Sequence, residues 1–184
     1  KKDRIIMRTV SLHDKTFELY ISDNQIREIV DSISYEINGS GIKDPLFIAV
    51  LNGSFLFAAD IMRKITIPNA EISFVKFSSY EGTRSTGVVN EMIGLADDIS
   101  NRNIIVLEDI IDTGNTLDKI VTSLMSKNVN EVKIATLLYK PDAYKKDMPI
   151  HYIGKEIPND FVVGYGLDYD ELGRNLPHIY KLKE

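Results

Sequence analysis

Two rhythms of apolar residues run along the 184-residue chain. In residues 22–38 the side chains Ile26, Ile29, Val30, Ile33 and Ile37 recur every three or four positions, the spacing that lines one face of a helix. Ser22 and Gln25 stand in capping-box spacing ahead of that stripe, and Asn38-Gly39-Ser40-Gly41 closes it with a glycine-rich stop. Residues 46–51 instead form an unbroken apolar run of strand length, which suits a central strand covered on both faces. Beyond the turn Asn52-Gly53-Ser54, residues 55–64 predict a helix and residues 72–77 a second strand. Residues 103–107 predict a third strand, ahead of a helix over 115–127 with Leu117, Ile120, Val121 and Leu124 on one face. A fourth apolar run, 132–138, ends at Tyr139-Lys140-Pro141. Strands and helices in this alternation, with short connections, define the α/β class with a mainly parallel sheet. Residues 78–90 are polar and hold two glycines, as a loop or the tip of a long hairpin would, whereas 161–169 begin like a strand and end in a turn. With no repeat and no linker-like tract, a single domain over residues 1–184 is expected.

Charge and composition then remove function classes. The 27 acidic against 22 basic residues leave a formal charge of −5, which argues against a protein whose main task is gripping nucleic acid through a basic face. Zero cysteines exclude a disulfide scaffold, a thiolate metal site and a Cys nucleophile. No apolar run approaches the ~18–20 residues of a membrane span. The start, Lys1-Lys2-Asp3-Arg4-Ile5-Ile6-Met7, lacks the apolar stretch of a secretory signal. A soluble, cytoplasmic protein without membrane or nucleic-acid partners is expected. His13, His151 and His178 are widely scattered and suggest no metal triad.

The chemistry concentrates in residues 104–117. An apolar strand delivers two adjacent carboxylates, Glu108 and Asp109, at its carboxyl end; Asp112 follows, and Thr113-Gly114-Asn115-Thr116 opens a helix. In open α/β sheets that crevice is where ligands bind. Two hydroxyls, a glycine and the free N–H groups of a helix start form an anion site for a phosphate. The carboxylates would repel a phosphate, so they face something else: sugar hydroxyls, a bound Mg2+ or a reacting proton. A ribose 5-phosphate asks for both kinds of group. The plainer alternative is an Asp/Gly-rich turn in which Asp112 or Thr113 serves as N-cap. A cap needs one such residue, and this segment spends three acids and two threonines. Neither a P-loop ending nor G-x-G-x-x-G is present, and the second acid loop of an aspartic protease is missing.

Residues 106–116 resemble the phosphoribosyl pyrophosphate motif of the type I phosphoribosyltransferases, and Glu108-Asp109 with Asp112-Thr113-Gly114 behind them resembles its 6-oxopurine branch, the hypoxanthine-guanine phosphoribosyltransferases. Val50-Leu51-Asn52-Gly53-Ser54 is similar to that family's pyrophosphate loop. Ser79-Tyr80 with Arg84-Ser85-Thr86-Gly87 is similar to its closing catalytic loop. Leu137-Leu138-Tyr139-Lys140 and residues 161–168 are similar to its purine pocket, so the matches run in order over residues 46–174. The resemblance implies the type I fold: a mainly parallel twisted sheet flanked by helices, with a small hood from N- and C-terminal segments. It implies purine salvage by Mg2+-dependent transfer of the 5-phosphoribosyl group from phosphoribosyl pyrophosphate to hypoxanthine and guanine, giving IMP, GMP and pyrophosphate. It also implies a homo-oligomer, dimer or tetramer.

By that resemblance Asp112 is the general base or acid, with Ser79 and Tyr80 in the closing loop. Glu108 and Asp109 hold the ribose hydroxyls and join Asp168 as metal residues, and Thr113, Gly114, Asn115 and Thr116 cradle the 5-phosphate. Asn52, Gly53 and Arg174 meet pyrophosphate. Lys140 donates to the purine 6-oxo group, Phe161 stacks on the base, Val162 contacts it through its backbone, and Asp168 takes Mg2+ through an oxygen or a water. Singly, Lys140 is an ordinary solvated lysine, Phe161 a core residue, and Asp168 and Arg174 surface charges; their joint arrival in register with the acidic motif raises them. Asn52 and Asn115 depart from the pattern, standing where lysine is found in relatives, which touches only the pyrophosphate details. Two rival functions are a phosphoribosyltransferase for adenine, xanthine or a pyrimidine, and a nucleotide-sensing regulator. Lys140 with Phe161-Val162 disfavours the first, and the acidic balance with no spare module disfavours the second.

Overall fold

The computed structural model describes residues 8–76 and 98–183. Expectations placed on Ser79, Tyr80, residues 84–87 and the whole 78–90 segment lie outside the described residues, as does Phe77.

The chain begins with the hairpin β1 (Thr9–Leu12) and β2 (Lys15–Ile21), then α1 (Asp23–Gly39). Next come β3 (Pro45–Leu51), α2 (Phe55–Met62) and β4 (Glu71–Lys76). They are followed by β5 (Asn103–Ile111), α3 (Asn115–Met125) and β6 (Glu131–Tyr139). The short strands β7 (Tyr152–Glu156), β8 (Val162–Val163) and β9 (Ile179–Leu182) complete the described fold. A five-stranded sheet runs in the order β4-β3-β5-β6-β7, and every neighbouring pair is parallel. A separate four-stranded sheet, β1-β2-β9-β8, is antiparallel.

Strand alternation divides the parallel sheet's side chains between two cores. Phe47 and Ala49 of β3 with Ile105 and Leu107 of β5 meet Ile26, Val30, Ile33 and Ile37 of α1 and Phe57, Ala58 and Ile61 of α2. On the other face Leu46, Ile48, Val50, Ile104 and Val106 meet Leu117, Ile120 and Leu124 of α3. Each fully buried Ile or Leu contributes about 1.5–3 kcal/mol, so these stripes fix which helix covers which face. The capping box at α1 forms as expected: Gln25 N donates to Ser22 Oγ at 3.3 Å, and Ser22 N donates to Gln25 Oε1 at 2.9 Å. Among the described residues no helix is long and apolar enough to cross a membrane.

Several boundaries differ from the sequence-based ones. The strand expected to end at Leu107 continues to Ile111, because β6 keeps pairing with it through Glu108↔Thr136 and Ile111↔Tyr139. The helix expected to reach Lys64 ends at Met62, and that expected to reach Lys127 ends at Met125. β7 is an addition: its Gly154 lies where a Cβ would collide with Ile29 of α1 and the Leu137 carbonyl, so a strand pressed against a helix tolerates only glycine there.

Candidate active site

β5 is the middle strand of the parallel sheet, and it carries the two acids inside the strand rather than beyond its end. Adjacent strand residues point to opposite faces. Glu108 therefore follows Ile104 and Val106 toward the α3 side, where it lines a cleft of about 100 Å³ with residues 110–117. Asp109 follows Ile105 and Leu107 to the other face and packs against Gly53, where any Cβ would run into its Oδ2. The peptide bond Leu51–Asn52 entering that loop is cis.

The 112–117 segment joins β5 to α3 as a phosphate loop would. Gly114 is the N-cap residue at φ +81°, so neither Asp112 nor Thr113 occupies the N-cap position of the plainer alternative, although Thr113 Oγ1 accepts from Asn115 N at 3.5 Å. Beyond that long contact, the glycine cap brings no side chain of its own to the first turn, and a helix start of this kind suits an anion. Gly114 is doubly required: its φ is left-handed, and a Cβ would lie 2.5 Å from the Tyr144 ring.

Lys140 reaches this loop through strand register. Ile111 of β5 pairs with Tyr139 of β6, so Asp112 and Lys140 leave the sheet side by side. Lys140 N donates to the Ile111 carbonyl at 3.0 Å, and its Nζ donates to Asp112 Oδ2 at 3.0 Å. Lys140 is only 7% exposed, which overturns the picture of a solvated lysine. Phe161 is 44% exposed, its ring lying edge-on to Tyr169 at 5.8 Å and tilted against Phe17 at 6.1 Å, so it is not a core residue either. Val162 is buried in β8, paired with Lys181 of β9.

A third group of charges stands on the Asp109 side. Arg174 places Nη2 at 2.9 Å from Asp168 Oδ1 and at 3.4 Å from Glu171 Oε2, and its Nη1 donates to the Gly166 carbonyl at 2.9 Å. Its Nε is buried without an acceptor among the described residues. The segment of residues 140–148 lies over the 112–117 loop through Tyr144 and Lys146, which sequence reasoning missed because Tyr144-Lys145-Lys146 reads as a polar loop after Pro141.

The acids of β5 are electrostatically uncomfortable. Burial pushes the Asp109 carboxyl up to about 6, against the pull of backbone N–H donors and of the Arg174 guanidinium, with Asp168 adding to the rise. Burial, reinforced by Asp109, holds the Glu108 carboxyl well above the usual carboxylate range. A raised folded-state value means that the Asp109 contribution to stability is complete below the unfolded value of about 3.9 and is lost as pH rises through about 6. The Tm of the ligand-free protein is thus expected to fall between pH 4 and 7, and Asp109→Asn is expected to flatten that fall and raise Tm at pH 7 by several degrees. Thermal melts of both proteins across this range check it; an unchanged profile would rule out Asp109 as its source.

Those same acids test the expected Mg2+. Glu108, Asp109 and Asp168 offer carboxylate oxygens, the hard donors this ion prefers. Among the described residues no group of three or more His, Asp and Glu converges closely enough to hold a metal alone. Mg2+ commonly takes one or two carboxylates and completes its shell with substrate oxygens and water. Two buried carboxylates short of compensating charge are what a cation relieves, so the donor set fits.

A strand, a glycine-capped loop and a helix that together deliver acids and hydroxyls, with a buried lysine from the next strand, suit an α/β enzyme that handles nucleotides or sugar phosphates. The model of the phosphoribosyl transferase domain matches residues 21–170, and the chain belongs to this family. Within it, the chain is 40% identical over 174 residues to the hypoxanthine-guanine phosphoribosyltransferase of Staphylococcus aureus strain Mu50, covering 94% of this chain and 97% of that one. The counterpart from Staphylococcus epidermidis is 41% identical over the same shares. A crystal structure of a hypoxanthine phosphoribosyltransferase from Staphylococcus aureus has TM-score 0.81 and 40% identity, over 90% of this chain and 91% of that one. The fold is the type I phosphoribosyltransferase fold, and the antiparallel sheet of β1, β2, β9 and β8 is the expected hood.

Proposed function

We propose that the protein performs purine salvage, moving ribose 5-phosphate from phosphoribosyl pyrophosphate to a ring nitrogen of hypoxanthine or guanine and releasing pyrophosphate. One observation carries it: the Lys140–Asp112 pair, 3.0 Å apart, stands at one end of the 112–117 loop whose other end is the glycine-capped start of α3. A purine at the first end and a phosphate at the second make one nucleotide.

The chain's own groups divide the work. Amides and hydroxyls of Thr113, Gly114, Asn115 and Thr116 hold the 5-phosphate. Glu108, which lines the cleft with the loop, accepts from ribose hydroxyls, and Asp109, on the other face of β5 beside Gly53, serves the metal and pyrophosphate side with Asp168 and Arg174. Arg174, with a buried Nε in want of an acceptor, and the Asn52-Gly53 backbone take pyrophosphate oxygens. As the base enters, Lys140 turns from Asp112 to the 6-oxo group, which frees the Asp112 carboxylate to exchange the proton of the purine imidazole ring. Adenine presents a donor where Lys140 also donates, so the pair selects 6-oxopurines. The exposed ring of Phe161 is free to stack, with Val162 backbone groups beside the base. Asp168, with the β5 acids, would hold Mg2+. When bound, that ion neutralises the leaving pyrophosphate. Ser79 and Tyr80 are assigned to a closing loop that excludes water, by resemblance alone. The protein works as a single domain in the cytoplasm and assembles as a homo-oligomer, dimer or tetramer.

The purified protein with Mg2+, phosphoribosyl pyrophosphate and each base in turn tests this. IMP from hypoxanthine and GMP from guanine, with no AMP from adenine, is the expected outcome. Absence of product from every 6-oxopurine would overturn the proposal.

A further inference from the structure

Two lysines six residues apart on the segment following β6 pair with two acids six residues apart on the strand–loop–helix: Lys140 with Asp112 at 3.0 Å, and Lys146 with Asp118 at 2.9 Å. The first pair stands at the base end of the loop. The second stands at the phosphate end, away from the base and the reacting sugar carbon.

Asp118 lies in the first turn of α3, the turn whose amides face the incoming phosphate. An acid there satisfies the helix dipole in the empty protein, and for that reason it competes with a phosphate and repels it. Lys146 sits across this spot. Its stem packs over Gly114, where a Cβ would meet Lys146 Cγ at 2.9 Å, and its Nζ donates to Asp118 Oδ2 at 2.9 Å. Lys146 is held in place by its own segment: Lys145 N donates to the Thr113 carbonyl at 3.3 Å, and the Tyr144 hydroxyl donates to the Met148 carbonyl at 2.7 Å. Tyr144 also meets Tyr139 edge-on at 5.5 Å, tying the segment back to β6.

We infer that Lys146 is a positioning residue for the phosphate site: it cancels the charge of Asp118 and so sets the affinity for phosphorylated ligands. This rests on the 112–117 loop being the 5-phosphate site. The pair is half-exposed and as a salt bridge contributes little to folding, so its effect falls on ligand affinity rather than on stability. Lys146→Ala leaves Asp118 facing a phosphate dianion unscreened, whereas removing both charges leaves the site neutral again.

The test is the dissociation constant of IMP, by calorimetry, for the wild type and for Lys146→Ala, Asp118→Asn and the double variant, with thermal melts to verify folding. Lys146→Ala is expected to weaken IMP about three- to tenfold, Asp118→Asn to tighten it, and the double variant to return to within about twofold of wild type. At ~1 M salt, where screening acts over about 3 Å, the differences are expected to collapse. Hypoxanthine, which lacks a phosphate, is expected to bind all four proteins alike. Equal IMP affinity for the wild type and Lys146→Ala overturns the inference, as does a double variant as weak as Lys146→Ala, because the lysine would then be contacting the ligand itself. A wild-type protein that binds no IMP at all would instead sink the phosphate-site assignment beneath it.

Discussion

Asp112→Asn is expected to lower turnover about 10²–10⁴-fold, the range of acid–base groups, while changing IMP binding little. The asparagine amide keeps the volume of the carboxylate, and its carbonyl oxygen still accepts from Lys140 Nζ, now 3.0 Å from Oδ2. What it loses is the capacity to take or give a proton. Pre-steady-state measurement of IMP formation separates this loss from any slow release of product. A variant with wild-type turnover would exclude Asp112 from proton transfer. A variant that had lost IMP binding in the same proportion would mean that the residue serves the phosphate loop instead.

Lys140→Ala is expected to raise KM for hypoxanthine about 10–100-fold, the worth of one charged hydrogen bond, and to leave phosphoribosyl pyrophosphate binding within a few-fold. The substitution removes a buried ammonium, yet its partner Asp112 has a side chain 47% exposed, so water can hydrate the orphaned carboxylate and the fold survives. Steady-state kinetics with each substrate varied in turn give the two constants. Equal losses in both would contradict base recognition and make Lys140 a general electrostatic support.

The 112–117 turn was legible as a candidate site because its chemistry is contiguous: one short stretch carries the acids, the hydroxyls and the glycine. The pairing of Lys140 with Asp112 was less so, since 28 residues separate them and only the β5–β6 register brings them together. The division of Glu108 from Asp109 needed the strand's true end. Two consecutive acids look like the close of a strand, and here β6 keeps pairing past them, which turns one carboxylate to each face. Gly53 meets Asp109 through tertiary packing that no local spacing records, whereas Arg174 reaches Asp168 only six residues away along the chain. β7 escaped notice because Gly154 and the charged Lys155-Glu156 hide the alternation of a strand. Lys146 escaped because a lysine after Pro141 carries no sign of what it will face.

A crystal of the protein grown with IMP is the direct test of the central claim, that the β5–α3 turn holds the sugar phosphate and the β6 end holds the base. The phosphate is expected against the amides of residues 113–116, with Lys140 moved from Asp112 to the 6-oxo oxygen. A nucleotide bound elsewhere, with the Lys140–Asp112 pair intact and the turn empty, would contradict it.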